Sequence, residues 1–340
     1  MRLAYKAYGI DLGTRNIKIY KEKQGLVIDQ KNILAIDEKG SIIAVGDEAY
    51  EMYEKAPENI QVTFPMKGGV IADFSNMQDL LRVFVQQHIK GSSGNKEFFV
   101  AVPTNITDVE KRAFLDLVES SHLRAKRVHI VEKPIADAVG AGLDVKNPNG
   151  IMLVDIGADT TEITIMSLGG IVISKLIPVG GNKLDDDIML YVKKEKNVII
   201  GMKSAEECKK QLAGAVEGTS KTISIMGRDL VTGLPVSAEV TGDMVFEAIK
   251  EDLHTIMDSI KIILERTPPE ISSDIIDNGV FVTGGCSQIQ GLSELIVKET
   301  ELKANFYEKP EDTVIMGLGR IIEEEDLSDL AFSLMQPTYE

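Results

Sequence analysis

Tryptophan is absent from the 340-residue chain, and aromatic residues make up only 5% of it. Stacking platforms for bases or sugars are therefore scarce. Cysteine occurs only at Cys208 and Cys286, too few for a disulfide framework and in keeping with a reducing compartment. Neither these nor the four histidines show metal-ligand spacing. No stretch approaches the roughly 18 uninterrupted apolar residues of a membrane-spanning helix. The start, Met1 to Lys6, lacks the apolar core of a signal peptide and is short for a membrane-surface helix. Positive charge is also in deficit, with 37 Lys and Arg against 53 Asp and Glu for a formal charge of −16. That balance disfavours nonspecific nucleic-acid binding and electrostatic attachment to anionic lipid. The Gly-Lys-Ser/Thr ending of a P-loop and the Gly-x-Ser-x-Gly elbow of many hydrolases are both missing. The expected address is the cytoplasm.

What is present reads as an α/β protein long enough for two domains. Tyr8 to Asp11 reads as a buried strand, and Ile17 to Tyr20 alternates as the return strand of a hairpin. Phe98 to Val102 and Arg127 to Val131 are further strands. Thr107 and Glu110 have capping-box spacing at the start of a helix, and Pro134 suits the first turn of another. His129 reads as a half-buried strand residue. The turn-rich segment Asp144 to Gly150 is the expected domain boundary.

Beyond that segment the opening pattern returns. Val154-Asp155-Ile156-Gly157, then Thr161, Ile163 and Ile165, repeats Ile10-Asp11-Leu12-Gly13, then Thr14, Ile17 and Ile19. Two such hairpins, one in each half, predict a duplicated fold. A strand that ends in Asp and turns through Gly and Thr exposes backbone N–H groups near a carboxylate. Such a turn can hold phosphate oxygens, while the Asp binds a divalent cation directly or through water. Tight hairpins with polar tips are the plain alternative. Two further turns suit a nucleotide. Val282-Thr283-Gly284-Gly285 enters a glycine pair before a helix from Leu292 to Lys298. Val179-Gly180-Gly181 precedes Asp185-Asp186-Asp187 at an expected helix start, where carboxylates favour the dipole.

Together with Pro65 to Phe74, Pro134 to Ala138 and Arg228 to Pro235, these segments resemble the actin/hexokinase/heat-shock-chaperone superfamily. Within it the chain is similar to bacterial actins of the MreB type over essentially its whole length. The resemblance implies an actin-like ATPase fold, two duplicated α/β domains each with a smaller inserted subdomain and a nucleotide cleft between them. It places subdomain IA at residues 1–32, 67–145 and 316–340, and IB at 33–66. Subdomain IIA takes 146–180 and 246–315, and IIB takes 181–245. The implied cofactors are ATP and Mg²⁺. The implied partners are further copies in paired protofilaments, and other MreB paralogues. The implied role is wall synthesis at the inner face of the cell membrane, or helicity and motility in wall-less spiral bacteria.

Carried over by position, Gly13, Thr14, Arg15 and Asn16 would form the first phosphate loop, and Gly157, Ala158, Asp159 and Thr160 the second. Asp11 and Asp155 would organise Mg²⁺ through its waters, with Thr161 and Asp155 beside the reacting phosphate. Gly180 and Gly181 would line the nucleotide, Glu206 and Lys209 would reach the ribose, and Gly284, Gly285, Cys286 and Ser287 would border the adenosine. Glu206 and Lys209, one helical turn apart, also read as a surface ion pair.

Several residues depart from the family pattern. Where the family has a Glu that orients the attacking water, this chain has Lys133, whose ammonium has donors only. The resemblance therefore implies at most a weak ATPase. Strand alternation aims the adjacent Glu132 at the opposite face. Asp159 interrupts a run of three glycines, either reaching the metal or pointing into solvent, and Cys286 replaces another glycine. Lys18 matches a phosphate-touching Lys of actin, whereas its alternation with Ile17 and Ile19 predicts solvent exposure. No membrane anchor is legible: Gly91 to Asn95 carries no apolar wedge. The acidic Glu323 to Asp326 with Leu330, Phe332 and Leu334 reads as a short terminal helix, solvated or partner-binding. A small-molecule kinase and a chaperone-type nucleotide switch are the alternatives within the superfamily. The first would need an acceptor pocket, and the second a β-rich domain after the ATPase.

Overall fold

The computed structural model describes residues 6–89, 95–121, 123, 125–218 and 221–333. The chain forms two compact units. The first holds the residues up to Asn147, the turn Leu168–Gly170 and the residues from Asp312; the second holds Pro148–Ser167 and Ile171–Glu311.

The first unit opens with β1 (Lys6–Leu12), β2 (Asn16–Lys21) and β3 (Gly25–Lys31) in antiparallel succession. A three-stranded patch follows, made of β4 (Leu34–Asp37), β5 (Ile42–Val45) and β6 (Ile60–Thr63) with helix α1 (Gly46–Met52). The two-residue strands β7 (Met66–Lys67) and β8 (Val70–Ile71) then lead to α2 (Phe74–His88). Next come β9 (Lys96–Val102), α3 (Asp108–Ser120), β10 (Ala125–Glu132) and α4 (Lys133–Gly140). Strands β9 and β10 join the sheet in parallel, giving the order β10-β9-β1-β2-β3.

The second unit repeats this plan. Its strands are β11 (Ile151–Ile156), β12 (Thr161–Ser167), β13 (Gly170–Ile177), β17 (Val280–Thr283) and β18 (Ala304–Phe306), in the order β13-β12-β11-β17-β18. Again the central strand pairs antiparallel with its successor and parallel with a later strand. Even the register is kept, with Asp11 opposite Lys18 and Asp155 opposite Glu162. Between β13 and β17 lie α5 (Gly181–Lys196), β14 (Val198–Ile199), α6 (Met202–Leu212), β15 (Thr222–Asp229), β16 (Pro235–Thr241), α7 (Gly242–Glu265) and α8 (Pro269–Asn278). Helix α9 (Leu292–Thr300) links β17 to β18, and α10 (Thr313–Glu323) returns the chain to the first unit.

Local chemistry explains the element ends. Thr107 and Glu110 form the reciprocal capping box at α3, and the Asp73 carboxylate accepts the Asn76 N–H at α2. Pro134 occupies the first turn of α4, where a missing N–H costs nothing. Each sheet has its own apolar core. Tyr8, Ile10, Phe98, Phe84 and Phe114 fill the first, and Val154, Ile163, Ile256, Ile260 and Val282 the second. Phe98 faces the core, whereas Phe99 stacks on half-buried His129.

Three expectations need correction. Lys18 is only 4% exposed, because β2 is a central strand covered on both faces and alternation there does not reach solvent. The carboxylate run Asp185 to Asp187 stands in the second turn of α5, which begins at Gly181, so its coupling to the helix dipole is weakened. The acidic C-terminal stretch forms a 3-10 turn, Glu325–Leu330, rather than the expected short amphipathic helix. Phe332 then exchanges backbone hydrogen bonds with Ile130 on edge strand β10. Leu334, Met1 to Tyr5 and residues 91–94 lie outside the described residues.

Where α5 packs on α7, Asp252 faces Asp187, with the Lys183 ammonium beside both. Burial, followed by the Asp187 carboxylate, raises the Asp252 pKa from 3.8 to about 6. The folded state thus holds this proton more tightly than the unfolded chain between those two values. The group's contribution to stability falls as pH rises through about 6. Asp252→Asn, which imitates the neutral acid, should stabilise the protein at pH 7.5 by on the order of 1 kcal/mol after solvent screening. The gain should vanish near pH 4, and thermal melts at the two pH values check it.

Candidate functional site

In the first unit the turn between β1 and β2 is tight enough to require glycine. A Cβ on Gly13 would lie 2.8 Å from the Asn16 carbonyl oxygen. The fully buried Asn32 braces this turn, donating from Nδ2 to the Gly13 carbonyl (2.8 Å) and from its backbone to the Arg15 carbonyl (2.9 Å). Asn16 donates to Asp29 (2.7 Å) and accepts from Lys31 (3.1 Å). The Arg15 guanidinium lies over the Tyr50 ring and donates to its hydroxyl at 2.6 Å. Lys18 forms a buried ion pair with Asp312, a partner 294 positions away that no sequence signal indicates. Among the described residues no protein acceptor takes the backbone N–H of Thr14, at the crown of the turn. Lys133 is the half-buried first residue of α4, and Glu132 the half-buried last residue of β10.

In the second unit four of the sequence segments converge. A Cβ on Gly157 would stand 3.1 Å from the Thr160 carbonyl, the counterpart of the Gly13 turn, and here no protein acceptor among the described residues takes the Ala158 N–H. The Gly180-Gly181 turn closes on this loop. Gly181 N–H donates to the Gly157 carbonyl at 3.0 Å, and Asn182 N–H to the Ala158 carbonyl at 2.7 Å. A Cβ on Gly180 would meet the Ala158 carbonyl oxygen at 2.7 Å, so only glycine allows the approach. Gly284, at φ +80°, comes next to Asp155, and a Cβ there would fall 2.3 Å from Asp155 Oδ1. Its N–H donates to the Pro310 carbonyl, and the Ser287 hydroxyl donates to its carbonyl at 2.8 Å. The buried Thr161 hydroxyl donates to the Val179 carbonyl, tying strand β12 to the glycine turn.

Side chains complete the second cluster. Asp159 does not point away into solvent: its carboxylate accepts from Asn182 Nδ2 at 2.6 Å. Cys286 donates from Sγ to the Gly157 carbonyl, and burial holds its thiol above the ordinary range against the pull of the Lys209 ammonium. It is therefore a neutral donor at neutral pH. Lys209 turns inward and donates to the Gly181 carbonyl and to Asp185 Oδ2, both at 2.7 Å. Glu206 pairs instead with Lys210 at 2.9 Å, so the anticipated Glu206–Lys209 ion pair is replaced by two others. Helical spacing put Glu206 and Lys209 near one another, but the α5 carboxylate competes more strongly for a half-buried ammonium.

The arrangement offers glycine-lined turns with open N–H groups beside Asp11 and Asp155. Nests of this kind suit phosphate oxygens. Among the described residues no cluster of three or more His, Cys, Asp and Glu could cage a metal ion. A cation held by one or two carboxylates, waters and a ligand's phosphates fits such a donor set. Asn32 and Asn182 are residues that sequence reasoning did not place at the site. Their types carry no motif, and only the folded chain puts them against the turns.

Comparison with known proteins agrees with this organisation. Residues 5–329 match the family described as MreB/Mbl protein. The cell shape-determining protein Mbl of Bacillus subtilis (strain 168) is 39% identical over 321 residues, covering 94% of this chain and 96% of the relative. The crystal structure of MreB5 of Spiroplasma citri bound to AMPPNP superposes with a TM-score of 0.90 at 33% identity, covering 96% of this chain and 98% of that one. The MamK double helical filament superposes at 0.80 with 22% identity over 94% and 99%, a likeness of fold. The fold is actin-like, as the sequence led us to expect.

Proposed function

Because the chain belongs to the MreB/Mbl family of cell shape-determining cytoskeletal proteins, we propose that it binds ATP with Mg²⁺ and assembles with its own copies into paired protofilaments. The filaments support cell shape, or cell helicity and motility. The observation that carries this reading is the recurrence, in both units and at one register, of a glycine turn beside a strand-end aspartate. The relative crystallised with AMPPNP supports it.

In this reading Gly13 to Asn16 and Gly157 to Thr160 bind phosphate oxygens through backbone N–H groups, with Asp11 and Asp155 holding the waters of Mg²⁺. Bound Mg²⁺ supplies charge neutralisation for the phosphates. Gly284 and Gly285 leave room for the adenosine, and Cys286 and Ser287 hold the backbone that borders it. Lys133 supplies no acceptor for an attacking water, so hydrolysis is slow and the ATP-bound, polymerising state is prolonged. The same reading admits copolymers with other MreB paralogues. It also admits a place at the inner face of the cell membrane, although no helix among the described residues is long and apolar enough to cross one.

Saturable binding of a fluorescent ATP analogue, measured with and without Mg²⁺ beside pelleting, tests the proposal. Mg²⁺-enhanced binding with nucleotide-dependent sedimentation is the expected outcome. A protein that neither binds nor pellets would overturn it.

A further inference from the structure

Arg15 follows Thr14, whose backbone N–H at the crown of the first turn meets no protein acceptor among the described residues. Its guanidinium is held on α1. Nη2 donates to the Tyr50 hydroxyl at 2.6 Å, and Cζ stands 4.7 Å from the Tyr50 ring centre. Lys31 brings a second cation to the same ring at 5.8 Å while donating to Asn16 Oδ1. A phosphate on the Thr14 N–H would lie within reach of the long Arg15 side chain. It would offer the guanidinium anionic oxygens and a bidentate fit, which a neutral hydroxyl cannot match. Asn32 braces the backbone of the turn, so only the Arg15 side chain needs to move. Tyr50 in turn stacks on Tyr53 at 6.2 Å, and Tyr53 meets Phe64 edge-on at 5.1 Å. All three rings pack on the small core of Ile33, Ala35 and Ala49. A row of rings thus runs from the turn into the β4–β6 patch.

We propose that Tyr50 is the resting seat of Arg15 and competes with bound phosphate for its guanidinium. A phosphate at the first turn draws Arg15 off the ring, and α1 with the β4–β6 patch loses this side-chain hold on the turn. The inference rests on the nucleotide-binding reading above. It goes beyond that reading by giving the first turn a phosphate-dependent release of α1. Competition is reciprocal. The free energy needed to break the Arg15–Tyr50 contact is subtracted from phosphate binding, so weakening the contact must tighten that binding.

The test measures dissociation constants of Mg-ATP and of adenosine for the full chain, Tyr50→Phe, Arg15→Ala and the double variant. Tyr50→Phe keeps the ring and its stacking and removes only the hydroxyl. It should tighten Mg-ATP binding by about tenfold, the lower end for a hydrogen bond to a charged group, and leave adenosine unchanged. Arg15→Ala should weaken Mg-ATP binding, and in that background Tyr50→Phe should have no effect. Hydrogen exchange, at protein concentrations too low for pelleting, gives a second readout. Mg-ATP should speed exchange of the α1 amides in the unaltered chain, and adenosine should not. Weaker or unchanged Mg-ATP binding by Tyr50→Phe would overturn the proposal, since Tyr50 would then steady Arg15 or stand apart from it. An equal gain for adenosine, a gain that survives Arg15→Ala, or unchanged or slower α1 exchange with Mg-ATP would overturn it too. If the unaltered chain does not bind Mg-ATP, the failure belongs to the nucleotide reading itself.

Discussion

Gly317→Ala should lower the melting temperature of the protein by roughly 4–8 °C, against the ordinary rule that alanine strengthens a helix. Gly317 lies within α10, where it crosses α4 with backbone against backbone. A Cβ at Gly317 would fall 1.7 Å from the Ala136 carbonyl oxygen, and one at Gly140 would fall 1.7 Å from that of Thr313. No rotamer relieves a clash with a carbonyl, so the helices must separate. Helix α10 has little room to retreat: Leu318 meets Gly9 of β1, and Gly319 lies against the Tyr20 ring of β2. Overpacking of this kind costs about 3 kcal/mol, of which the alanine's helix propensity returns about 1. Gly140→Ala should cost a similar amount. The double variant should cost clearly less than the sum, because one separation of the helices relieves both clashes. Thermal melts of the three variants decide the matter. Additive losses would mean that the two glycines act independently.

Lys133→Glu should raise phosphate release from Mg-ATP by on the order of 10²-fold, the lower end of what a well-placed proton acceptor contributes. Lys133 is the first residue of α4, and α4 is held through Gly140 against α10. A new carboxylate would therefore stand on a rigid element. The helix dipole would favour it, whereas it opposes the native ammonium. Lys133→Met removes the charge without supplying an acceptor and should leave release slow. Pelleting should persist in all three proteins, with faster turnover of the Glu variant's assemblies. Brisk release by the unaltered chain would mean that another residue orients the water, and the reading of Lys133 would then be wrong.

Much of this was legible before any coordinates. The two hairpins announced themselves because β-strand alternation and a glycine turn are local properties, written in consecutive residues such as Val154 to Gly157. The capping box at Thr107 was legible for the same reason. Errors arose where a residue's surroundings come from distant parts of the chain. Alternation predicted an exposed Lys18, yet α10, about 300 residues later, supplies both the cover and the Asp312 carboxylate. Helical spacing paired Glu206 with Lys209, yet Asp185 on a neighbouring helix takes the lysine.

The sequence by itself determined the duplicated α/β plan and the glycine turns beside Asp11 and Asp155, and the family resemblance marked Lys133 as a departure. These rest on short-range sterics and on side-chain chemistry that no fold can alter, since glycine alone lacks a Cβ and lysine has no acceptor. Only the tertiary structure decided which charges meet and which glycines are indispensable. A buried ammonium must find a carboxylate wherever packing brings one. The Gly140–Gly317 crossing exists only when two helices more than 170 positions apart are pressed together.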